Sequence, residues 1–195
     1  LGRGKTGSGK TLAFSIPMVA RLAQRLMLEP VSGTLAGTGV AATARNGRRP
    51  QLQRPLGLIL APTRELATQI TAALSPLAAA YGMSVTTIFG GISQQRQVAA
   101  LQAGVDIVVA CPGRLEDIMQ QKHVTLDAIE ITVLDEADHM ADLGFLPVVT
   151  RILNKTPDGG QRMLFSATLD NGVDKIVNRY LHDEIMHSVD EATSH

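Results

Sequence analysis

The chain has 195 residues, of which 45% are hydrophobic and 18% charged, the composition of a soluble globular protein able to build a sizeable core. Its 18 basic and 18 acidic side chains cancel, so no global field announces a polyanionic partner, although a local basic stripe stays compatible with that balance. The single cysteine, Cys111, excludes an internal disulfide and points to a reducing compartment, and the longest apolar runs, "LGLILA" and "DIVVAC" among them, are too short to span a bilayer.

The first element is a motif. In "LGRGKTGSGKT" (Leu1–Thr11), Gly4, Gly9, Lys10 and Thr11 fit G-x-x-x-x-G-K-[ST], which sits between a buried strand and a helix. Only Leu1, Gly2 and Arg3 stand where most of that strand belongs, so the expectation is a piece of a longer protein, cut inside its leading strand. From Thr11 to Leu28, the residues Leu12, Ile16, Val19, Leu22, Ala23 and Leu26 recur at helical spacing. The next stretch, Pro30 to Pro55, has no periodicity and no acidic residue, while Arg45, Arg48, Arg49 and Arg54 gather towards its end. It reads as a flexible basic insertion, with a dedicated RNA-binding arm as the alternative.

From there the chain alternates. "LGLILAP" is a strand, followed by a helix from about Glu65 to Tyr81; "MSVTTIFGG" is a strand and Ser93 to Ala103 a helix; "DIVVACP" is a strand and Arg114 to Lys122 a helix. "EITVLDEAD" is a strand, "LPVVTRILNK" a helix despite its proline, "RMLFSAT" a strand, "NGVDKIVNRYL" a helix and "IMHSV" a short last strand. This pattern predicts an α/β domain, a mainly parallel sheet covered by helices on both faces. Ligands of such sheets bind at the carboxyl ends of the strands, where "APTRE", "FGG", "ACPGR", "LDEAD" and "FSAT" all fall.

The chemistry of two of these clusters follows from the residues. A triphosphate needs converging donors without steric bulk; Gly7 and Gly9 permit the tight backbone, and the helix starting near Lys10 adds the positive end of its dipole. The expected cradle is Gly4, Lys5, Thr6, Gly7, Ser8, Gly9, Lys10 and Thr11, with Lys10 on the β- and γ-phosphates and the Thr11 hydroxyl on Mg²⁺. Asp135 and Glu136 end an apolar strand, a costly position for two acids unless they bind a cation or are solvated. Asp135 is the candidate to hold Mg²⁺, through water, and Glu136 the candidate to orient or deprotonate the attacking water.

"GKTGSGKT", "PTREL", "GG", "PGR", "DEAD" and "SAT", in this order and spacing, resemble the first RecA-like domain of the DEAD-box RNA helicases, and "DEADHMADLGF" extends the likeness to Gly144 and Phe145. The resemblance covers the chain apart from the 30–55 insertion. It implies a RecA-like P-loop fold, ATP and Mg²⁺ in the cleft between Gly4–Thr11 and Asp135–Glu136, and RNA at the far side of the strand ends. It implies backbone contacts to RNA from Pro62, Thr63, Arg64, Gly91 and Arg114, which read no sequence. It also implies a coupling role for Asp138, Ser166 and Thr168, whose hydroxyls would bond the acidic motif. His139 reads as a surface imidazole, and His182, His187 and His195 have no metal-ligand spacing with a cysteine.

Three departures stand out. The family's adenine-reading glutamine motif has no counterpart upstream, the second RecA-like domain with its arginine finger is not in the sequence, and Cys111 replaces the family's usual threonine. "DEATSH" falls near where a linker to a second domain would begin. The expected parent activity is ATP hydrolysis coupled to local RNA unwinding in the cytoplasm, with an ATP-gated RNA clamp or a DNA translocase as alternatives. For this chain alone the expectation is weak nucleotide and RNA binding, no unwinding and marginal stability.

Overall fold

The computed structural model describes residues 1–3, 9–28, 53–182 and 185–188. In chain order these hold β1 (Gly2–Arg3), α1 (Lys10–Leu28), β2 (Gly57–Leu60), α2 (Arg64–Ala79), β3 (Val85–Ile88), α3 (Gln94–Gln102), β4 (Ile107–Ala110) and α4 (Pro112–Gln120). There follow β5 (Ile131–Leu134), α5 (Ala137–Asp142), α6 (Leu146–Leu153), β6 (Gln161–Ser166), α7 (Val173–Tyr180) and β7 (His187–Ser188). The strands pair in one sheet, all parallel, in the order β3-β4-β2-β5-β6-β1-β7.

Strands β2, β4 and β5 are buried at every residue because helices cover both faces, and their aliphatic runs follow from that. Alternate residues serve separate cores. Leu58, Leu60, Val108, Ala110 and Leu134 pack with α4 to α7, whereas Ile59, Val109, Ile131 and Val133 pack with α1 and α2. The strand order explains this division. The steps β1 to β2 and β2 to β3 run one way along the sheet, through α1 and α2; every later step runs the other way, through α3 to α7. Parallel crossovers are right-handed, so opposite directions of travel put their helices on opposite faces.

Helix α1 buries a face that overlaps only in part the one its spacing predicts, with Val19, Leu22 and Ala23 common to both. Phe14, Ser15, Met18, Val19, Leu22 and Ala23 are buried, while Leu12, Ile16 and Leu26 stay 50%, 54% and 39% exposed. The helix carries two apolar stripes, and the one at i+4 spacing, Phe14-Met18-Leu22, meets the sheet. Phe14 tilts against Phe165 of β6 at 5.4 Å between ring centroids. Met18 and Leu22 close over Gly57, where an added Cβ would come within 2.9 Å of Met18 Cε.

Two boundaries also differ from expectation. The described residues begin again at Gln53, inside the expected insertion. Gln53 pairs with Val124 and accepts a bond from Thr125 N (2.9 Å), Pro55 is buried, and Arg54 pairs with Asp127 at 2.9 Å. The other insertion arginines, Arg45, Arg48 and Arg49, lie outside the described residues. Strand β5 stops at Leu134, and the acidic motif turns at once into the short helix α5, which periodicity over so few residues did not reveal.

The face assignment is open to test by denaturant unfolding. Met18→Ala should cost about 2–5 kcal/mol as a buried truncation, whereas Ile16→Ala should stay within about 0.5 kcal/mol of the unaltered chain.

Candidate active site

Strand β1 delivers the chain to the carboxyl edge of the sheet, and Gly9, at φ 77°, precedes Lys10, the first residue of α1. Glycine tolerates that left-handed backbone without penalty. Thr11 is half-buried on the same first turn. Gly4, Lys5, Thr6, Gly7 and Ser8 lie outside the described residues.

On the other side of β6, Asp135 follows the last residue of β5. It is 3% exposed, its N–H donates to the Leu60 carbonyl (3.0 Å), and its Oδ1 accepts from the Glu136 N–H (3.0 Å). Burial pushes its carboxyl above the ordinary aspartate value; the charge of Lys10 and the Glu136 amide pull it back, while Glu136 and Asp138 add to the rise. Lys10 and Asp135, 125 positions apart in sequence, thus act on one another across the end of β6. Glu136 has a left-handed backbone (φ 50°, ψ 54°), uncommon for a residue with a Cβ and a place where strain gathers. That twist turns its half-buried side chain away from the strand line, with Oε2 3.3 Å from His139 Nδ1.

The expected coupling residues meet, by a different route. The Asp138 N–H donates to Ser166 Oγ (3.1 Å), Ser166 donates its hydroxyl hydrogen to the Thr168 carbonyl, and the Asp138 carboxylate accepts from the Ala167 N–H (3.2 Å). The Asp138 carboxylate therefore takes a backbone amide where a hydroxyl was expected, because the turn after β6 presents its N–H groups at the level of α5.

The third group lies at the ends of β2, β3 and β4. Pro62 is buried and shapes the backbone entering α2. Thr63 caps that helix, its Oγ1 accepting from the Leu66 N–H (3.2 Å), which leaves the hydroxyl hydrogen free to donate outward. Arg64 pairs with Glu65 at 3.1 Å with both side chains more than half exposed, a contact of little energetic weight. Gly91 has φ 80°, and an added Cβ would lie 3.5 Å from Arg64 Nη1. Arg114 Nη1 donates to the Ile92 carbonyl (3.2 Å). Three residues from three separate motifs thus surround one turn.

Cys111 occupies the N-cap of α4 and makes no capping bond there. Its thiol is half-buried; burial, with the Glu65 charge as the smaller cause, pushes it up to about 11. Gln97 escaped the sequence reading, since a glutamine on a polar helix carries no periodic signal, yet it is buried and bonded to Phe89. Among the described residues no helix is long and apolar enough to cross a membrane.

Crevices form in an open α/β sheet between neighbouring strands whose following helices leave to opposite faces. The β6/β1 boundary, flanked by Lys10, and the β2/β4 boundary, flanked by Arg64 and Arg114, both meet that condition, so the domain is a parallel α/β sheet with crevices at its carboxyl edge. Comparison with known proteins agrees. A family model described as DEAD/DEAH box helicase matches residues 1–176, and the chain belongs to that family. It is 40% identical over 194 residues to DEAD-box ATP-dependent RNA helicase 24 of Arabidopsis thaliana, covering 98% of this chain and 22% of that protein. It is 40% identical over 185 residues to the ATP-dependent RNA helicase RhlB of Xanthomonas axonopodis pv. citri, covering 93% of this chain and 29% of that one. The crystal structure of the yeast DEAD-box splicing factor Prp28 aligns with a TM-score of 0.78 at 32% identity, over 97% of this chain and 40% of its own. A DEAD box protein from the hyperthermophile Methanococcus jannaschii gives 0.75 at 28%, over 97% and 44%. The chain therefore spans less than a third of these two curated relatives.

Two outcomes follow from the site's electrostatics. Because burial raises the Asp135 carboxyl, its ionised form opposes folding increasingly as pH rises above the ordinary value of 3.8. Asp135→Asn should raise the melting temperature at neutral pH in magnesium- and nucleotide-free buffer, and the gain should shrink as pH is lowered. At neutral pH, Cys111, raised from 9.0 to about 11, should alkylate about a hundredfold more slowly in the folded chain than in the unfolded one. Its contribution to stability should be lost as pH climbs from about 9 to about 11.

Proposed function

We propose that this chain is the ATP- and RNA-binding first RecA-like domain of an ATP-dependent RNA helicase, acting with a second RecA-like domain of the same parent protein. The observation that carries this reading is the meeting of Lys10 with the buried Asp135 at the carboxyl edge, on the sheet edge that also gathers Arg64, Gly91 and Arg114.

The residues suit a magnesium-bound triphosphate. A carboxylate that is 3% exposed and raised by burial is poorly compensated by Lys10 alone, and a divalent cation would offset its charge. Among the described residues no three His, Cys, Asp or Glu side chains gather into a metal site, so a cation held by Asp135 and Thr11 would take the rest of its shell from phosphate and water. Mg²⁺ in such a site neutralises charge that develops on the transferring phosphoryl group. Lys10 would hold the phosphate oxygens as a point charge, and Gly4, Lys5, Thr6, Gly7, Ser8, Gly9 and Thr11 are the residues proposed for the rest of the cradle. Glu136, its side chain turned by the left-handed backbone, takes the role of orienting the attacking water and accepting its proton. Asp138, Ser166 and Thr168, stitched together by hydrogen bonds, tie the acidic strand end to the turn after β6 and carry the coupling role.

RNA would lie across the β2/β4 crevice. The guanidinium groups of Arg64 and Arg114, the Thr63 hydroxyl and the open backbone at Gly91 supply phosphate donors, and none presents a base-reading surface. Aromatic content of 3% argues against a stacking platform. Of the segment 30–55, read as a basic insertion, residues 53–55 fall among those described. A lone cysteine without a disulfide partner favours a reducing compartment such as the cytoplasm.

Lys10→Ala should weaken magnesium-ATP binding about tenfold or more in an equilibrium titration, since a charged phosphate partner is lost. Glu136→Gln should bind ATP as before while RNA-stimulated hydrolysis by the parent protein falls by about 10²–10⁴. Hydrolysis stimulated by DNA and indifferent to RNA would remove the RNA assignment, and hydrolysis undiminished in Glu136→Gln would remove the role given to that residue.

A further inference from the structure

The turn that carries Gly91 is held from beneath by a residue outside every motif. Gln97, on the inward side of α3, is 4% exposed and spends both ends of its amide on one residue: the Phe89 N–H donates to Oε1 (2.9 Å), and Nε2 donates to the Phe89 carbonyl (3.0 Å). This is the pair of bonds that a neighbouring strand would offer. Phe89 follows the last residue of β3, which is an edge strand with β4 on one side only, so Gln97 stands in for the missing neighbour at that point.

The same turn is tied at its far end by Arg114, which donates to the Ile92 carbonyl (3.2 Å). Between the two ties, Gly90 and Gly91 are exposed, and an added Cβ on Gly90 would meet nothing within 4 Å. Two consecutive exposed glycines put little restraint of their own on this backbone, and a phosphate gains most from amides already held in place. We infer that Gln97 is a positioning residue for RNA-backbone binding: it touches no RNA, and by clamping Phe89 it fixes the turn whose amides and flanking guanidinium groups receive a phosphate. The inference rests on the RNA reading above.

Gln97→Met keeps the volume and removes both bonds. In titrations of the chain with fluorescently labelled oligouridylate at low salt, this variant should bind about ten- to a hundredfold more weakly, the size expected when buried backbone groups lose their partners. Magnesium-ATP affinity should stay within about twofold, as for sites without shared contacts, and amide hydrogen exchange at Gly90 and Gly91 should accelerate. Should Gln97→Met fail to fold, Gln97→Glu carries the same comparison, because it keeps the acceptor for the Phe89 N–H and sets an oxygen against the Phe89 carbonyl. Unchanged RNA affinity alongside faster exchange at the two glycines would overturn the inference and leave the RNA reading standing. RNA and ATP affinity falling together would overturn it as well, since that pattern reports a general loss of fold. No RNA binding by the unaltered chain would remove the RNA reading itself, and the clamp's role with it.

Discussion

Right-handed crossover is the constraint from which the site follows. A right-twisted strand leads its helix back onto the sheet from one side only, so the direction of travel across the sheet decides which face a helix covers. Here the chain travels one way through α1 and α2 and the other way through the remaining helices. Neighbouring strands that belong to opposite directions part company at their carboxyl ends, and the gap between their departing helices is a crevice. The β6/β1 and β2/β4 boundaries are two such places. Nothing about the individual motifs requires them to be adjacent in space; the sheet order makes them so.

Within the first crevice the physics is one of an incompletely compensated charge. Asp135 is buried because β5 runs into the interior between β2 and β6, and its own neighbours Glu136 and Asp138 aggravate the cost. A fold that kept the site only for stability would place an amide or an apolar side chain there. The left-handed backbone at Glu136 belongs to the same account, since it ends the strand abruptly and lets α5 begin at Ala137. These are features that a bound cation and phosphate would relieve, and they concentrate where the sheet edge is open.

Much of the fold was legible in the sequence because β2, β4 and β5 are short aliphatic runs between polar clusters, a pattern that only a sheet covered on both faces explains. The acidic strand end stood out because two acids there are costly without a ligand, and the glycine-lysine segment because it fits a phosphate-binding pattern whose residues 4–8 lie outside the described ones. The inward face of α1 was legible only in part: Val19, Leu22 and Ala23 stood out, but Leu12 and Ile16 are as apolar as Phe14 and Met18, and Phe165 and the bare backbone of Gly57 take the latter pair. The short helix α5 was hidden because a left-handed residue starts it. The convergence of Arg64, Gly91 and Arg114 was expected only by resemblance, because it depends on β4 lying between β2 and β3, and Gln97 was invisible because its burial depends on the edge position of β3.

The carboxyl edge itself is one continuous ladder. The Asp135 N–H donates to the Leu60 carbonyl, the Ala61 N–H to the Ala110 carbonyl, and the Cys111 N–H to the Ile88 carbonyl, and Gln97 closes the row on Phe89. The first residue beyond β5, β2 and β4 is therefore bonded to the last residue of its neighbour, and the backbone from Asp135 to Phe89 cannot lengthen without breaking bonds in a buried sheet. Above the ladder lie the Glu136 side chain beside His139, the Asp138–Ser166–Ala167 stitch, and the exposed pair of Arg64 and Glu65. On the reading proposed above, those side chains and turns are the elements through which a nucleotide beside Asp135 and a phosphate beside Gly91 would act on one another.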